Sequence, residues 1–598
     1  MRKLALLVVL SIFFFPSFVL AEEVVNVGQI IAEEVPFYNV DGEQVGLLKM
    51  NGRNLPFQDS TTSQRAMISV GGVNAFIDRQ FIQQVSIEVP SVNTNSIGTI
   101  KTVSPFSVFT ATSRDSTVLV TANSPLTLNV QSLKNGYYEV DIAGQIGYIP
   151  PEMANPVFSS NDLYFTVMSD SVPYYEMKNN QLVKKGTFAS GTSWTRIKSS
   201  NGKHVVKFGE RIVYVPEFGT FSTAKKPVVK GPAKAKFPIK VLPEKEIDVL
   251  GVDGVKIGSI SRGSFVDIYG LVKEKAVINF FGQEGRVDFS QFVHTNLLSP
   301  KKNVSHEEMS YLVQVFAAMY PEFTKLEQIG KSVEGRPIYA IRLGNGKKEV
   351  LFDASMHARE HMSTNVVLEM LDTYSYHYLN KTKYAGYNVK STLDAVSIWF
   401  IPMMNPDGVT LVQAGAKAVK NGALATKING SSNFARWKAN VRGVDLNDNF
   451  DTGWKYNSPN VKKPSFMGYR GPRAFSEPES VALRDFVLKH SFKTYISYHS
   501  SGQIIYWFQW QKGAQATRDL TLARSVSRIT GYNVVPPMYL QGTGASTDWF
   551  IDQKKMPSLT IEISPYVSNR PVPLAYWDRI WKQNQKIGLF IAQDASKR

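Results

Sequence analysis

The chain contains no cysteine in 598 residues. That excludes a disulfide framework, so its stability must come from apolar cores and from any metal it binds. Long apolar runs are equally scarce. One stands at the start, MRKLALLVVLSIFFFPSFVLA, and no later stretch reaches the ~20 apolar residues that a membrane span requires. Acidic residues number 50 against 67 lysines and arginines, and histidine occurs eight times. Against these shortages, 43% of residues are hydrophobic and 20% are charged, which is the balance of a folded chain rather than a disordered one. A chain of this length exceeds one core, and several domains are expected.

The opening run begins with Arg2 and Lys3, is interrupted at Pro16 and ends in the small residue Ala21. It reads as a secretory signal peptide over residues 1–21, cleaved after Ala21, rather than as a retained anchor. Its loss takes the formal charge from +17 to +15, because those residues hold two bases and no acid. The mature protein is expected to be secreted or wall-associated, monomeric, and without stable membrane insertion. A positive surplus favours anionic partners. For an exported protein these are cell-wall polymers or lipid head groups rather than nucleic acid, and plain solubility accounts for the charge equally well.

Residues 22 to about 300 carry a repeat. VPFYNVDGEQVGLLKMNG (35–52), VPYYEMKNNQLVKKGTFASG (172–191) and IDVLGVDGVKIGSISRG (247–263) each join two short β-rich runs through a polar turn and close on glycine. That is a hairpin rhythm. From each closing glycine, 18 or 19 residues lead to a second glycine that opens GGVNAFIDRQF (71–81), GERIVYVPEF (209–218) or GQEGRVDFSQF (282–292). A fourth copy shows mainly its second half, NGYYEVDIAGQIGYIP (135–150). The pattern predicts four small all-β barrels over residues 22–92, 93–155, 156–222 and 239–298, with a Lys- and Pro-rich linker over 223–238. The hairpin rhythm and the Gly-Tyr-Ile-Pro ending resemble bacterial SH3-like domains, which implies wall binding. Spacers or a prosegment over an active site are the alternatives.

From residue 301 the pattern changes. Ser305 and Glu308 form a capping box for an amphipathic helix over 305–320. Short apolar runs at 348–354, 397–404, 494–499 and 557–563 alternate with helical patterns at 364–379 and beyond Ser476-Glu477-Pro478-Glu479. That order predicts an α/β domain with a mixed sheet over 301–598. Polar residues fall at the strand ends, where ligand sites of open α/β sheets lie: His357 and Glu360, Asn405 and Asp407, His499, and Glu562. Two imidazoles and one carboxylate, His357, Glu360 and His499, are a ligand set of catalytic zinc and leave one position open.

The landmarks HARE (357–360), MNPDGV (404–409), GVDLN (443–447), SEPE (476–479), HSSGQIIYW (499–507), STDW (546–549) and TIEI (560–563) resemble, in family order, the carboxypeptidase A-like zinc peptidases. The resemblance implies one zinc ion per chain, held by His357, Glu360 and His499. It makes Glu562 the general acid/base, and His361 a packing or supporting group in a place where the family has an aromatic residue. One of Lys438, Arg436 and Arg442 would steady the oxyanion. Tyr539 falls near the position of the family's mobile tyrosine, although Leu540 fits the count slightly better.

One departure is informative. Carboxypeptidases have an Asn-Arg pair that grips a free C-terminal carboxylate, and here the pair is Asn447-Asp448. An acid repels a carboxylate and attracts an ammonium. The surrounding run is similar to the bacterial γ-D-glutamyl-L-diamino acid endopeptidases, which cut peptidoglycan stem peptides. Hence the expected partners are peptidoglycan peptides and wall polymers, unless Asp448 merely faces solvent. A broad carboxypeptidase acting on ordinary peptides and a non-catalytic wall-binding protein with a degenerate peptidase fold are the rival readings.

Overall fold

A computed structural model of the chain describes residues 26–598, except 61–63, 87–94, 209–210, 225, 228–229, 234–235, 294–296, 457–460 and 541. The signal peptide expected over 1–21 lies outside the described residues, as do Gly209 of the third repeat and part of the 223–238 linker. Two compact units are present. One takes the described residues up to 229 together with Lys256–Ile260, and the other takes residues 230–255 and 261–598.

In the first unit the first two copies of the repeat build one closed ring. The first contributes β1 (Val35–Tyr38), β2 (Gln44–Leu48), β3 (Arg65–Val70) and β4 (Val73–Asp78). The second contributes β5 (Phe106–Phe109), β6 (Val118–Ala122), β7 (Tyr137–Ile142) and β8 (Gln145–Ile149). The antiparallel order is β1-β2-β6-β5-β8-β7-β3-β4, and β4 returns to β1. The copies meet where β2 pairs with β6 and where β3 pairs with β7, at Val70 and Ile142.

Alternation drives this ring. Ala66, Ile68 and Val70 point inward along β3, and Tyr138, Val140 and Ile142 do so along β7. Each large apolar side chain so buried contributes about 1.5–3 kcal/mol. Closure also removes the free strand edges that a half-ring would expose. Gly46 sits at the β2–β6 junction, where a Cβ would lie 2.3 Å from the Thr121 carbonyl oxygen. The same device recurs further along the unit. Strand Gln181–Ala189 pairs with Lys256–Ile260 at Gly186, whose Cβ would lie 2.0 Å from the Ser259 oxygen.

In the second unit, strands Ile239–Pro243, Val266–Val272, Lys275–Phe280 and Gln283–Asp288 form an antiparallel meander. The remainder is a mixed sheet of eight strands: β9 (Thr324–Lys331), β10 (Pro337–Leu343), β11 (Lys348–Ala354), β12 (Val396–Ile401), β13 (Phe492–Ser500), β14 (Ile504–Tyr506), β15 (Asn533–Val534) and β16 (Ser558–Ile563). They run in the order β9-β10-β12-β11-β13-β16-β14-β15. The central four are mutually parallel. β12 is buried along its whole length and β13 at all but one residue, as expected of parallel strands covered on both faces. Leu351, Trp399 and Tyr495 join Phe486 of helix α3 (Pro478–Lys489) and Phe550 of α4 (Ser546–Lys554) in one core. Helices α2 (Met362–Leu379) and α5 (Ile587–Ala595) also pack on the sheet and touch each other at Tyr374 and Gly588.

Helix α1 (His306–Met319) begins as the sequence suggests, with the Ser305 hydroxyl accepting from the Glu308 amide at 3.2 Å. The Glu308 carboxylate turns instead to Lys302. Among the described residues no helix is long and apolar enough to cross a membrane.

Candidate metal centre and cleft

Because β11, β12, β13 and β16 are parallel, their carboxyl ends open on the same side of the sheet. His357 follows β11 and precedes a single 3-10 turn, Ala358–Glu360, that brings Glu360 back beside it. His499 lies near the end of β13, and Glu562 stands opposite it on β16. The result is a buried cluster. His357 Nδ1 is 3.0 Å from Glu360 Oε1, His499 Nδ1 is 3.0 Å from Glu360 Oε2, and the two Nδ1 atoms are 2.9 Å apart.

Two imidazole nitrogens that close to each other cannot both carry hydrogens pointing inward. His357 Nε2 contacts Asp445 Oδ1 at 3.1 Å, which places its proton on the far side and leaves the Nδ1 lone pair facing the cluster. Lone pairs from two nitrogens and a carboxylate thus converge on one point, and the donor set and its closeness fit a zinc ion. Although burial opposes ionisation of Glu360, the flanking His357 and His499 hold its carboxyl well below the usual carboxylate range.

Asp445 carries no signal of its own in the sequence. It lies within the GVDLN landmark, but only the fold reveals its partners. Besides His357, it accepts from Lys438 Nζ at 3.1 Å and from the Gly468 amide at 3.0 Å. Despite full burial, Lys438 and His357 hold Asp445 well below its ordinary range. Burial works against the Lys438 charge, but Asp445, Glu360 and Asp448 outweigh it and raise the ammonium above its usual value.

A cleft of about 380 Å³ opens over the cluster, walled by His357, Lys438, Asp448, His499, Leu540 and Glu562. The three cations named from sequence go to different places. Lys438 faces the cleft. Arg436 is turned away, stacked 4.1 Å from the Phe466 ring and bonded to Asn429. Arg442 is exposed, with Glu477 at 3.5 Å. Asn447 also lines the cleft, and its Oδ1 accepts from the Ser546 amide and hydroxyl at 3.0 and 3.2 Å. Burial, reinforced by Asp445 and only partly offset by Lys438, pushes Asp448 up to about 7.

Glu562 Oε2 has no hydrogen-bond partner among the described residues. Burial, then the Glu360 charge, raises its pKa to about 7. Tyr539 stands at the rim, 67% exposed, edge-on to Phe508 and Trp510 at 5.0 and 5.2 Å, while Leu540 is in the cleft wall. His361 is buried beside the turn, and burial lowers its pKa to about 4. Asn405 braces the site from beneath by donating to the Met356 and Ala439 carbonyls. Asp407 is turned away from it, to Ser332 and Arg336. Asn449, another residue without a sequence signal, ties the cleft loop to the Arg470 and Arg473 carbonyls and to Ser476.

Parallel strands ending in a His-Glu-His cluster beneath a cleft lined by the Glu562 carboxylate define a metallopeptidase architecture. The chain belongs to the zinc carboxypeptidase family, which residues 309–585 match. It is 31% identical over 300 residues to gamma-D-glutamyl-L-diamino acid endopeptidase 1 of Lysinibacillus sphaericus, covering 50% of this chain and 73% of that one. It is 27% identical over 288 residues to the uncharacterized protein YqgT of Bacillus subtilis, covering 47% and 74%. Among solved structures it is similar to bovine thrombin-activatable fibrinolysis inhibitor in complex with tick carboxypeptidase inhibitor, at 22% identity, over 50% of this chain and 98% of that one, with a TM-score of 0.40.

Proposed function

We propose that the protein is exported with loss of residues 1–21 and hydrolyses peptidoglycan stem peptides at the bond between γ-D-glutamate and a diamino acid. In this reading the hairpin repeats of residues 22–298 hold it to the wall. The observation that carries the substrate reading is Asp448 in the cleft wall, beside the His357–Glu360–His499 cluster. A carboxylate there suits a substrate that brings a side-chain ammonium, and it disfavours one that brings a free C-terminal carboxylate. The name of the 31% identical relative agrees with this.

His357, Glu360 and His499 would hold the zinc ion. When bound, zinc supplies Lewis-acid polarisation of the scissile carbonyl and makes water a better nucleophile at neutral pH. Glu562 takes a proton from the attacking water at Oε2 and returns it to the leaving amine nitrogen. Lys438, fixed by Asp445, offers its ammonium to the oxygen that gains negative charge. Asn447 is held through its Oδ1 by Ser546, which leaves its Nδ2 to donate to the substrate backbone. Asp448 receives the side-chain amine.

Purified protein incubated with defined muropeptides, with and without a chelator, tests this, with products identified by mass. Chelator-sensitive cleavage after γ-D-glutamate is expected. Stepwise release of C-terminal amino acids from ordinary peptides would replace this reading with a carboxypeptidase.

A further inference from the structure

One wall of the cleft is uncharged and has no part in the chemistry. β14 and β15 are parallel neighbours at the edge of the sheet, so the segments that follow them, 507–510 and 535–540, leave it side by side. The Val535 amide bonds the Ile505 oxygen at 3.0 Å, and Trp507 Nε1 bonds the Val535 oxygen at 3.0 Å. No charged residue occurs over 504–511 or 535–540.

Phe508, Met538 and Leu540 line the cleft. Tyr539 packs edge-on against both Phe508 and Trp510, and Trp510 Nε1 donates to the Leu540 oxygen at 2.8 Å. The patch is therefore joined to the cleft by its own members. Met538 and Trp510 are each 45% exposed, Leu540 50% and Tyr539 67%. Large apolar side chains exposed together at the mouth of a cleft mark a binding surface rather than a core.

Two bonds fix the side of the cleft on which this rim stands. Gln509 Nε2 donates to the hydroxyl of Thr452, four residues beyond Asp448, at 3.0 Å. The Gly544 oxygen accepts from the Phe450 amide at 2.9 Å, and a Cβ on Gly544 would lie 2.3 Å from the Asp448 carbonyl oxygen. The rim is thus beside Asp448, where the diamino acid would lie. Asp448 disfavours a free carboxylate there, so a fitting substrate has the carboxyl of its diamino acid tied up in a further amide. The chain beyond that amide meets the rim.

We infer that the rim of Phe508, Trp510, Met538, Tyr539 and Leu540 is a subsite for the uncharged residue that follows the diamino acid, so that the enzyme selects stem peptides extended beyond it. D-alanine, a methyl group on an amide-linked chain, has the required chemistry. This inference rests on the stem-peptide reading of the cleft.

The full chain and its Trp510→Ala, Trp510→Gln and Trp510→Phe variants test it on two soluble stem peptides. One ends at the diamino acid as its carboxamide, and the other is extended by D-alanine carboxamide, so that neither ends in a free carboxylate. The wild type should show a kcat/KM roughly four-fold higher on the extended peptide, the equivalent of about one buried methyl group. In Trp510→Ala and Trp510→Gln that ratio should fall to about one, while kcat/KM on the short peptide is unchanged, which also shows the variants to be folded. Trp510→Phe, which keeps a ring, should retain most of the preference. A wild-type ratio of one, or the same ratio in Trp510→Ala and Trp510→Gln as in the wild type, overturns the inference. A Trp510-dependent preference that arises only when a sugar is attached to the stem makes the sugar the occupant and overturns it as well. Should neither peptide be cut, the proposed function fails, and calorimetric titration of the wild type with the same two peptides still decides the rim: tighter binding of the extended one supports the subsite, and equal binding overturns it.

Discussion

His499 and Glu562 are direct neighbours on adjacent parallel strands, β13 and β16. One side chain belongs to the metal cluster and the other ends in an oxygen without a hydrogen-bond partner among the described residues. A single backbone ladder therefore sets the distance between the group that binds metal and the group that moves a proton. Ile561 and Ile563 on either side are fully buried, so the carboxylate cannot withdraw without disturbing the core.

Glu562→Gln preserves that shape and removes the proton acceptor. Turnover should fall at least ~100-fold while bound zinc is unchanged. Near-normal turnover would take Glu562 out of the chemistry.

Elemental analysis should find about one zinc per chain. His499→Ala should lose it, because two remaining protein ligands hold zinc poorly. Chelation of the wild type should abolish cleavage, and added zinc should restore it. A His499→Ala protein with full zinc content would refute the ligand set.

Substrate choice should follow the charge at position 448. A charge-assisted hydrogen bond in a partly desolvated cleft is worth ~1.5–3 kcal/mol, or roughly ten-fold and more in selectivity. Asp448→Arg should weaken cleavage before a diamino acid and improve action on peptides ending in a free carboxylate. An unchanged ratio of the two rates would mean that Asp448 does not meet the substrate.

Glu479 offers a test of stability away from the metal. Burial, with Asp407 and Glu477 nearby, raises its pKa to about 8 in the folded protein, while an unfolded chain titrates it near ~4.3. Between those values the folded form binds more protons, so its stability falls as pH rises from about 4 through 8. Glu479→Gln removes that loss. The variant's unfolding midpoint should match the wild type near pH 4 and exceed it by a few degrees at pH 8, by analogy with other buried carboxyl groups. Parallel pH profiles for the two proteins would show that Glu479 does not carry the effect.

The central strands were legible because they are continuous apolar runs, and β11, β12, β13 and β16 fall within a few residues of where those runs lie. The edge strands β9, β10, β14 and β15 were not. They are short or half-exposed, without the apolar continuity that burial on both faces imposes on the middle of the sheet. In the repeats, hairpin rhythm was visible, but which hairpin completes which ring was not. A polar turn records only the pairing of the two strands it joins, whereas the β2–β6 and β3–β7 junctions join residues more than 70 positions apart.

The sequence by itself determined the metal chemistry and the local geometry that begins it. His357 and Glu360 are three residues apart, and one 3-10 turn is enough to face them toward each other. Tertiary structure alone decided the rest. It brought His499 to the pair across 142 residues of chain and gave His357 its Asp445 partner across 88. It also turned Lys438 into the cleft while Arg436 and Arg442 found partners elsewhere. Those outcomes depend on the register of parallel strands and on the path of a long loop, and both are fixed by packing against distant residues rather than by spacing along the chain.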